Sequence, residues 1–378
     1  MEHFLPLAAA MQNTRPRRIF PWLVVGMVMS SGVAAAFSEV AVSVGQNPGA
    51  SAIIPQTNEL VVLNDGTSDA SVIDPVTTAV STVHAGLNPA AVAVNPQTGY
   101  AYIANSNDNT VTVIYGYGQG KKRKVVPVGA GPIAVAINPG TNWIYVSDIM
   151  GDSVTAIDGT TNATVNIPVG ARPRGIAVNP ITNRVYVANI WSNSVSVIDG
   201  YSNTVVATIP VGELPYSVAV NASTNKVYVA NQGESVFQPG IVTVIDGATH
   251  ETTSIAAGMQ PAFVAVNTTT NRIYVLGGQA NGDITVIDGA TGGTTHVAIP
   301  YGQWGFALLN GIAINEITNR IYVTDSMSTN LLAIHGATNE VTLRPAGSYP
   351  SFVSVNPANN RVYVSNGNDG TVTIIDEN

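Results

Sequence analysis

The sequence predicts an all-β protein, a β-propeller built from four-stranded antiparallel blades, and three observations support this prediction. A short run such as TNRVYVAN recurs eight times along the 378 residues. Neighbouring copies are 41 to 48 residues apart, which is the period of a propeller blade. Each repeat also contains four short runs that are rich in β-branched residues and bounded by turn formers.

The recurring run has one marker position, which is tyrosine in seven of the eight repeats. The marker positions are Val61, Tyr102, Tyr145, Tyr186, Tyr228, Tyr274, Tyr322 and Tyr363. Because each tyrosine stands between apolar residues, we interpret it as a packing residue between neighbouring blades. We expect its hydroxyl to find a backbone partner.

The four runs of a repeat are best seen around Tyr186, at residues 175–179, 184–189, 194–199 and 204–211. We call them strands A, B, C and D. The links between them are short, which predicts an antiparallel meander. Asn-Pro-x-Thr-Asn joins A to B, and Asp-Gly-x-x-Asn joins C to D, both typical of tight turns. We interpret the aspartates of the recurring Ile-Asp-Gly as caps of their own turns, since one per blade spreads them around the ring.

The two ends of the chain predict how the ring closes. Residues 38–45 match strand D, and the chain stops at residues 371–378, just after a strand C. If the first run completes the last repeat, the ring has eight blades. A seven-bladed ring with an irregular N-terminal segment is the alternative, because the first repeat has Val61 and a shortened strand A.

Residues 1–36 differ from the repeats and predict a secretory signal peptide. Arg-Pro-Arg-Arg precedes an uncharged run at 19–36 that ends in three alanines before Phe37. An uncleaved membrane anchor is the alternative, although Pro21 and the Ser-Ser-Gly at 30–32 weaken a spanning helix. Residues 37–378 are then a single propeller domain that is exported, whether periplasmic, at the cell surface or extracellular.

Composition excludes several function classes. The chain has no cysteine, so disulfides and thiolate metal sites are impossible. The net charge of −8 disfavours general nucleic-acid binding. The five histidines are scattered, and no phosphate loop or dinucleotide motif is present. We therefore predict no catalytic residue, metal or cofactor, and we expect a monomer.

The pattern TNRVYV, SVIDG and VVATIPVG resembles the YVTN-type β-propeller repeat family, which occurs in exported and cell-surface proteins of bacteria and archaea. The resemblance covers nearly all of the chain after residue 38. It implies the propeller fold and says little about function. More distant propellers with lactonase or amine-dehydrogenase activity share the architecture alone.

The D–A and B–C links lie on one face of a propeller, and they vary most between the repeats. We call this the link face. Two insertions, at residues 231–241 and 302–312, bring Phe237, Trp304 and Phe306 to it. Aromatic residues on loops favour recognition over folding, although they can also fold back over the blade edges.

Further unusual residues are expected on the same face or at the start of strand A. They are Asp148, Arg172, Arg174, Trp191, Tyr216, Met259, Phe263, Asp325, Tyr349 and Phe352. Together they would line a central pocket with aromatic walls and two arginines that hold an anion. The basic run at 121–124 is expected in a C–D turn on the opposite face, as a solvated hairpin tip.

The sequence thus favours an exported binding protein that recognises a protein, a peptide or a cell-envelope component on the link face. Membrane contact is expected only if the N-terminal segment is uncleaved. The alternatives are a lactonase-like hydrolase or dehydrogenase-related enzyme acting at the central channel, and a passive surface-layer or adhesive module.

Overall fold

The computed structural model describes residues 39–116, 120–234, 239–277, 282–300 and 307–377. Its strands form eight four-stranded antiparallel sheets arranged as the blades of a propeller. The prediction of eight blades is confirmed, and the seven-bladed alternative is wrong. Among these residues, no helix is long and apolar enough to cross a membrane.

Each blade runs A, B, C, D from the central channel outwards. Blades 1 and 2 contain β2 (Pro48–Ile54), β3 (Glu59–Asn64), β4 (Asp69–Ile73), β5 (Val80–His84), β6 (Pro89–Val94), β7 (Ala101–Asn105), β8 (Thr110–Tyr115) and β9 (Lys122–Pro127). Blades 3 and 4 contain β10 (Pro132–Asn138), β11 (Trp143–Asp148), β12 (Ser153–Asp158), β13 (Thr164–Pro168), β14 (Pro173–Asn179), β15 (Arg184–Asn189), β16 (Ser194–Asp199) and β17 (Thr204–Pro210).

The second half of the ring repeats this order. Blades 5 and 6 contain β18 (Pro215–Asn221), β19 (Lys226–Asn231), β20 (Pro239–Asp246), β21 (Thr252–Met259), β22 (Pro261–Asn267), β23 (Arg272–Gly277), β24 (Ile284–Asp288) and β25 (Thr294–Val297). Blades 7 and 8 contain β26 (Leu309–Asn315), β27 (Arg320–Asp325), β28 (Asn330–His335), β29 (Val341–Pro345), β30 (Pro350–Asn356), β31 (Arg361–Asn366), β32 (Thr371–Asp376) and β1 (Glu39–Ser43).

The ring closes in blade 8, where β1 is the outermost strand. It pairs antiparallel with β32, with Glu39 opposite Ile375 and Ser43 opposite Thr371. Val42 is 7% exposed and packs with Val372 and Ile374. The predicted closure by an N-terminal strand D is therefore confirmed.

The core consists of apolar clusters between neighbouring blades. Tyr145 of blade 3, for example, shares a cluster with Val185 and Val187 of blade 4. All seven marker tyrosines are buried, which confirms that they pack between blades. The Tyr145 hydroxyl donates to Asn203 Oδ1 at 3.0 Å, so its partner is a side chain and not the expected backbone group. Burial raises the pKa of Tyr145 to about 12.

The aspartates of the recurring Ile-Asp-Gly cap their own turns, as predicted. Asp158 Oδ1 accepts the backbone N–H groups of Thr160 and Thr161, at 2.8 and 3.3 Å. These bonds stabilise the carboxylate and lower the pKa of Asp158 below its usual value. Asp74, Asp199, Asp246 and Asp288 make the same pair of bonds.

The glycine of the D–A link is required by close packing. A Cβ at Gly129 would collide with the Asp148 carboxylate at the end of strand B, and one at Gly170 would collide with the Asn189 amide. The link therefore passes directly over the last side chain of the neighbouring strand B, and this contact fixes its path towards the channel.

The basic run at 121–124 differs from its prediction. Only Lys121 precedes β9, where its Nζ lies 2.8 Å from Glu59 Oε1 of blade 1. The other three residues belong to β9, the outermost strand of blade 2, and are exposed. The prediction of a turn is wrong for these three, because their backbone extends the pairing with β8 as far as Tyr115.

Candidate functional site

The best-defined group of exposed side chains on the link face joins blades 3 and 4. We call Met150, Arg172 and Trp191 the rim cluster. The Arg172 Cζ lies 4.3 Å from the centroid of the Trp191 ring, a cation–π contact. The Arg172 Nη1 lies 2.8 Å from Met150 Sδ. Met150 and Trp191 are 66% and 67% exposed, so the cluster presents apolar surface and one charge to solvent.

The neighbouring loops hold this cluster in place. Trp191 lies in a single turn of 3₁₀ helix, Ile190–Ser192, directly after β15. The Arg172 backbone N–H donates to Asp152 Oδ1 at 2.8 Å, and its carbonyl accepts from Ile190 N at 3.1 Å. The B–C loops of two blades thus position the D–A link that carries the arginine.

The residue before the proline of each D–A link has a left-handed backbone. In the seven links with this proline its φ lies between 44° and 65°. Blades 1 to 3 place there Asn47, Asn88 and Gly131, types that tolerate this conformation. Blades 4, 5, 6 and 8 have Arg172, Leu214, Gln260 and Tyr349. Large side chains at these four positions are held at a cost in backbone strain.

A second group of side chains lies at the channel mouth, which we define as the start of strands A on the link face. The Arg174 Cζ lies 3.8 Å from the centroid of the Tyr216 ring, and its Nη2 donates to the Tyr216 hydroxyl. Tyr216 meets Phe263 edge to face, with ring centroids 6.1 Å apart. Three successive strands A thus contribute one continuous row of side chains.

The two arginines that the sequence grouped together therefore contact different rings. Arg172 lies against Trp191 on the rim, and Arg174 lies against Tyr216 at the channel mouth. The structure gives no contact between their guanidinium groups, and the two rings lie in different blades.

Two acidic candidates are buried within their own blades. Asp148 is fully buried and accepts hydrogen bonds from Ser153 Oγ at 3.3 Å and Thr155 Oγ1 at 2.7 Å. Burial raises the pKa of Asp148 to about 6. Asp325, 3% exposed, accepts from Leu308 N at 2.9 Å. Neither carboxylate faces solvent, and both tie the end of strand B to neighbouring chain.

The other candidates are distributed around the same face. Met259 ends β21 and is half-buried, Phe352 is half-buried on β30, and Tyr349 is 39% exposed on the link before it. Phe237, Trp304 and Phe306 lie outside the described residues. Met150 was missed by the sequence reasoning. Its signal was a pair of large apolar residues, Ile149 and Met150, in a short B–C link.

Grooves between the outer strands offer no distinctive site. One of about 460 Å³ lies beside Ser192 between blades 3 and 4, and one of about 440 Å³ lies at the corresponding place between blades 2 and 3. Because the groove recurs with the repeat, it follows from blade packing. In the described part of the chain, no group of three or more histidine or acidic residues could hold a metal ion.

The closed ring of eight blades and its variable link face define the chain as a β-propeller, a fold that serves as a scaffold for interactions. No known family model matches the sequence, and no curated protein matches it. The resemblance to YVTN-type repeats remains a resemblance of motifs.

Solved structures share the fold. A hydrazine synthase chain of Kuenenia stuttgartiensis is 19% identical and superposes with a TM-score of 0.63, over 76% of this chain and 95% of that one. A functionally unknown protein from Desulfotomaculum acetoxidans DSM 771 is 12% identical, with a TM-score of 0.59 over 81% of this chain and 98% of that one. At these identities the likeness shows the propeller fold alone.

Proposed function

We propose that this protein is an exported binding protein that recognises a partner protein, peptide or cell-envelope component on its link face. The observation that supports this is the rim cluster. Two large apolar side chains from different blades, each about two-thirds exposed, flank one arginine whose backbone is held by Asp152. Trp, Met and Arg are the types enriched at protein interfaces.

The strained D–A links also support partner binding on the link face. A left-handed backbone at a bulky residue costs on the order of 1 kcal/mol, and asparagine or glycine would remove that cost. Blades 1 to 3 have those residues, whereas four other blades keep Arg, Leu, Gln or Tyr. Four links keep bulky residues although asparagine or glycine would remove the strain, which favours a function for these side chains.

The test is a pull-down from cell-envelope extract with three proteins: the wild type, Met150→Ala plus Trp191→Ala, and Tyr201→Ala. Tyr201 is 82% exposed in a C–D turn on the opposite face, so it controls for the loss of an exposed aromatic residue. We expect the wild type and Tyr201→Ala to capture the same partner. The rim variant should capture at least tenfold less, since hot-spot residues contribute 2 kcal/mol or more. Equal capture by the rim variant would refute the proposal.

A further inference from the structure

We propose that Arg174, Tyr216 and Phe263 form a second site, at the channel mouth, for a ligand that carries a carboxylate next to an aromatic or apolar group. This inference goes beyond the proposed partner binding, because the site shares no residue with the rim cluster. It rests on the charge of Arg174, the aromatic wall beside it and the open space across the channel.

Arg174 is the only charged residue on the eight strands A, all of which the structure describes. Four lysines and arginines of the described chain pair with carboxylates: Lys121 with Glu59, Arg184 with Asp199, Arg344 with Glu377 and Arg361 with Asp376. No carboxylate of the described residues lies within ion-pair distance of Arg174. Its charge is therefore available to pair with the carboxylate of a ligand.

The guanidinium has donors to spare. It stacks on Tyr216 and donates one hydrogen bond, to the hydroxyl of that residue. The planar fork of arginine carries several further N–H groups, and their spacing matches the two oxygens of a carboxylate. Stacking on the ring also fixes the plane of the fork, so less rotamer freedom is lost on binding.

The aromatic wall selects what accompanies the carboxylate. Tyr216 and Phe263 meet at an interplanar angle of 82°, so one ring edge packs against the other ring face. Phe263 is packed against the apolar cluster between blades 6 and 7 and cannot swing freely. An aromatic or apolar group beside the carboxylate would cover these rings and gain apolar contact.

Small residues line part of the channel mouth. The residue that follows the proline is Arg174 in blade 4 and Tyr216 in blade 5, but Gly49 in blade 1 and Ala90 in blade 2. A Cβ placed on Gly49 would meet no atom within 4 Å, so this part of the channel wall faces open space. A small ligand can therefore lie on the aromatic side without displacing any strand.

The experiment titrates the chain from residue 37 to 378 with phenylacetate and, separately, with its neutral analogue phenylacetamide, by ligand-observed NMR and calorimetry. We expect saturable binding of phenylacetate at least tenfold tighter than that of the amide. Arg174→Met should abolish this preference, and Arg174→Lys should keep part of it, because the charge remains while the fork is lost.

The control is Lys124→Met, which removes an exposed cation from the outermost strand of blade 2 and should leave phenylacetate binding unchanged. Thermal unfolding of every variant checks that any loss of phenylacetate binding is not caused by loss of the folded structure. Equal affinity for acid and amide, no saturable binding, or an unchanged preference in Arg174→Met would each overturn the inference. Because the pull-down uses Met150 and Trp191, either proposal can fail while the other holds.

Discussion

Asp148 is a buried acid at a position where five other blades have asparagine. Asn105 and Asn189 end strand B in blades 2 and 4, and each amide donates to two hydroxyls of strand C. In blade 3 the carboxylate accepts from Ser153 and Thr155 instead. The geometry is conserved, but the charged form of Asp148 is buried without a counter-charge.

Asp148→Asn is therefore expected to stabilise the protein in a pH-dependent manner. The folded pKa of about 6 exceeds the usual 3.8, so the folded state binds the proton more tightly. Wild-type stability then falls as pH rises from about 4 to about 6, and the penalty is complete above that range. The gain should be about 2 kcal/mol larger at pH 7.5 than at pH 4, because part of the penalty is already present at pH 4; denaturant unfolding measures it.

Asp158→Asn is the control of opposite sign. The pKa of Asp158 is lowered by the backbone N–H groups that it caps, so its carboxylate stabilises the fold above the unfolded pKa. Its replacement should cost more stability at pH 7.5 than at pH 2.5, because the contribution of the carboxylate is lost only as pH falls below about 3.8. A gain from Asp148→Asn of the same size at pH 7.5 and pH 4 would contradict the burial argument.

Replacement of Arg172 is expected to affect partner binding without a large effect on the stability of the fold. Arg172→Asn places at this backbone the residue that blades 1 and 2 use, so relief of strain should offset the lost cation–π contact. We expect the free energy of unfolding to stay within about 1 kcal/mol of the wild type, while partner capture in the pull-down falls.

The matched reverse change is Asn88→Arg in blade 2. It brings an arginine into the same left-handed conformation, without a tryptophan to stack on, and should cost about 1 kcal/mol in denaturant unfolding. A neutral Asn88→Arg, or a loss of more than about 2 kcal/mol in Arg172→Asn, would show that strain is not the deciding cost at this position.

At the scale of the element, β1 is the strand whose loss is most informative. It completes blade 8 through pairing with β32 and buries Val42. A chain beginning at residue 46 should be destabilised by more than the roughly 2 kcal/mol that burial of one valine contributes, because the backbone hydrogen bonds between β1 and β32 are also lost. It should also associate through the uncovered edge of β32.

The comparison is with the chain beginning at residue 37, followed by thermal unfolding and light scattering. A synthetic peptide of residues 38–45 should restore part of the lost stability when added in trans, and a scrambled peptide should not. Equal melting temperatures for the two chains would mean that the ring does not depend on this closure.

Strands were predictable because their signals are local. Residues 184–189 and 194–199 were predicted and observed with the same bounds, since β-branched runs and turn residues determine both. Strand A of blade 4 begins earlier than predicted, at Pro173, because the proline pairs with Asn189 across a β-bulge. Proline at a strand start is not a local strand signal.

The site was only partly predictable, because its contacts join residues from different loops. The sequence predicted that Arg172 and Trp191 lie on one face. It also placed Arg172 and Arg174 in one pocket, whereas Arg174 stacks on a different aromatic ring, that of Tyr216. Which aromatic side chain each arginine contacts depends on the curvature of the propeller and on the left-handed backbone at Arg172. Neither can be read from spacing along the chain.

At the scale of the whole molecule, export is the property that the sequence predicts most directly. The basic run, the uncharged run and the three alanines within residues 1–36 predict cleavage after Ala36. N-terminal sequencing of the protein from the cell envelope or medium should therefore begin at Phe37. Recovery of Met1 in a membrane fraction would favour the anchor, and Met1 in the cytosol would refute export.

The closure of blade 8 has a mechanical consequence. Glu39, at the start of β1, lies opposite Ile375, next to the end of β32. A load that separates the two ends of the propeller would therefore pull on one end of this ladder and peel its hydrogen bonds apart one after another, from Glu39 towards Ser43. The propeller would therefore open at blade 8 under modest tension, because the hydrogen bonds of this ladder break one at a time and not all at once.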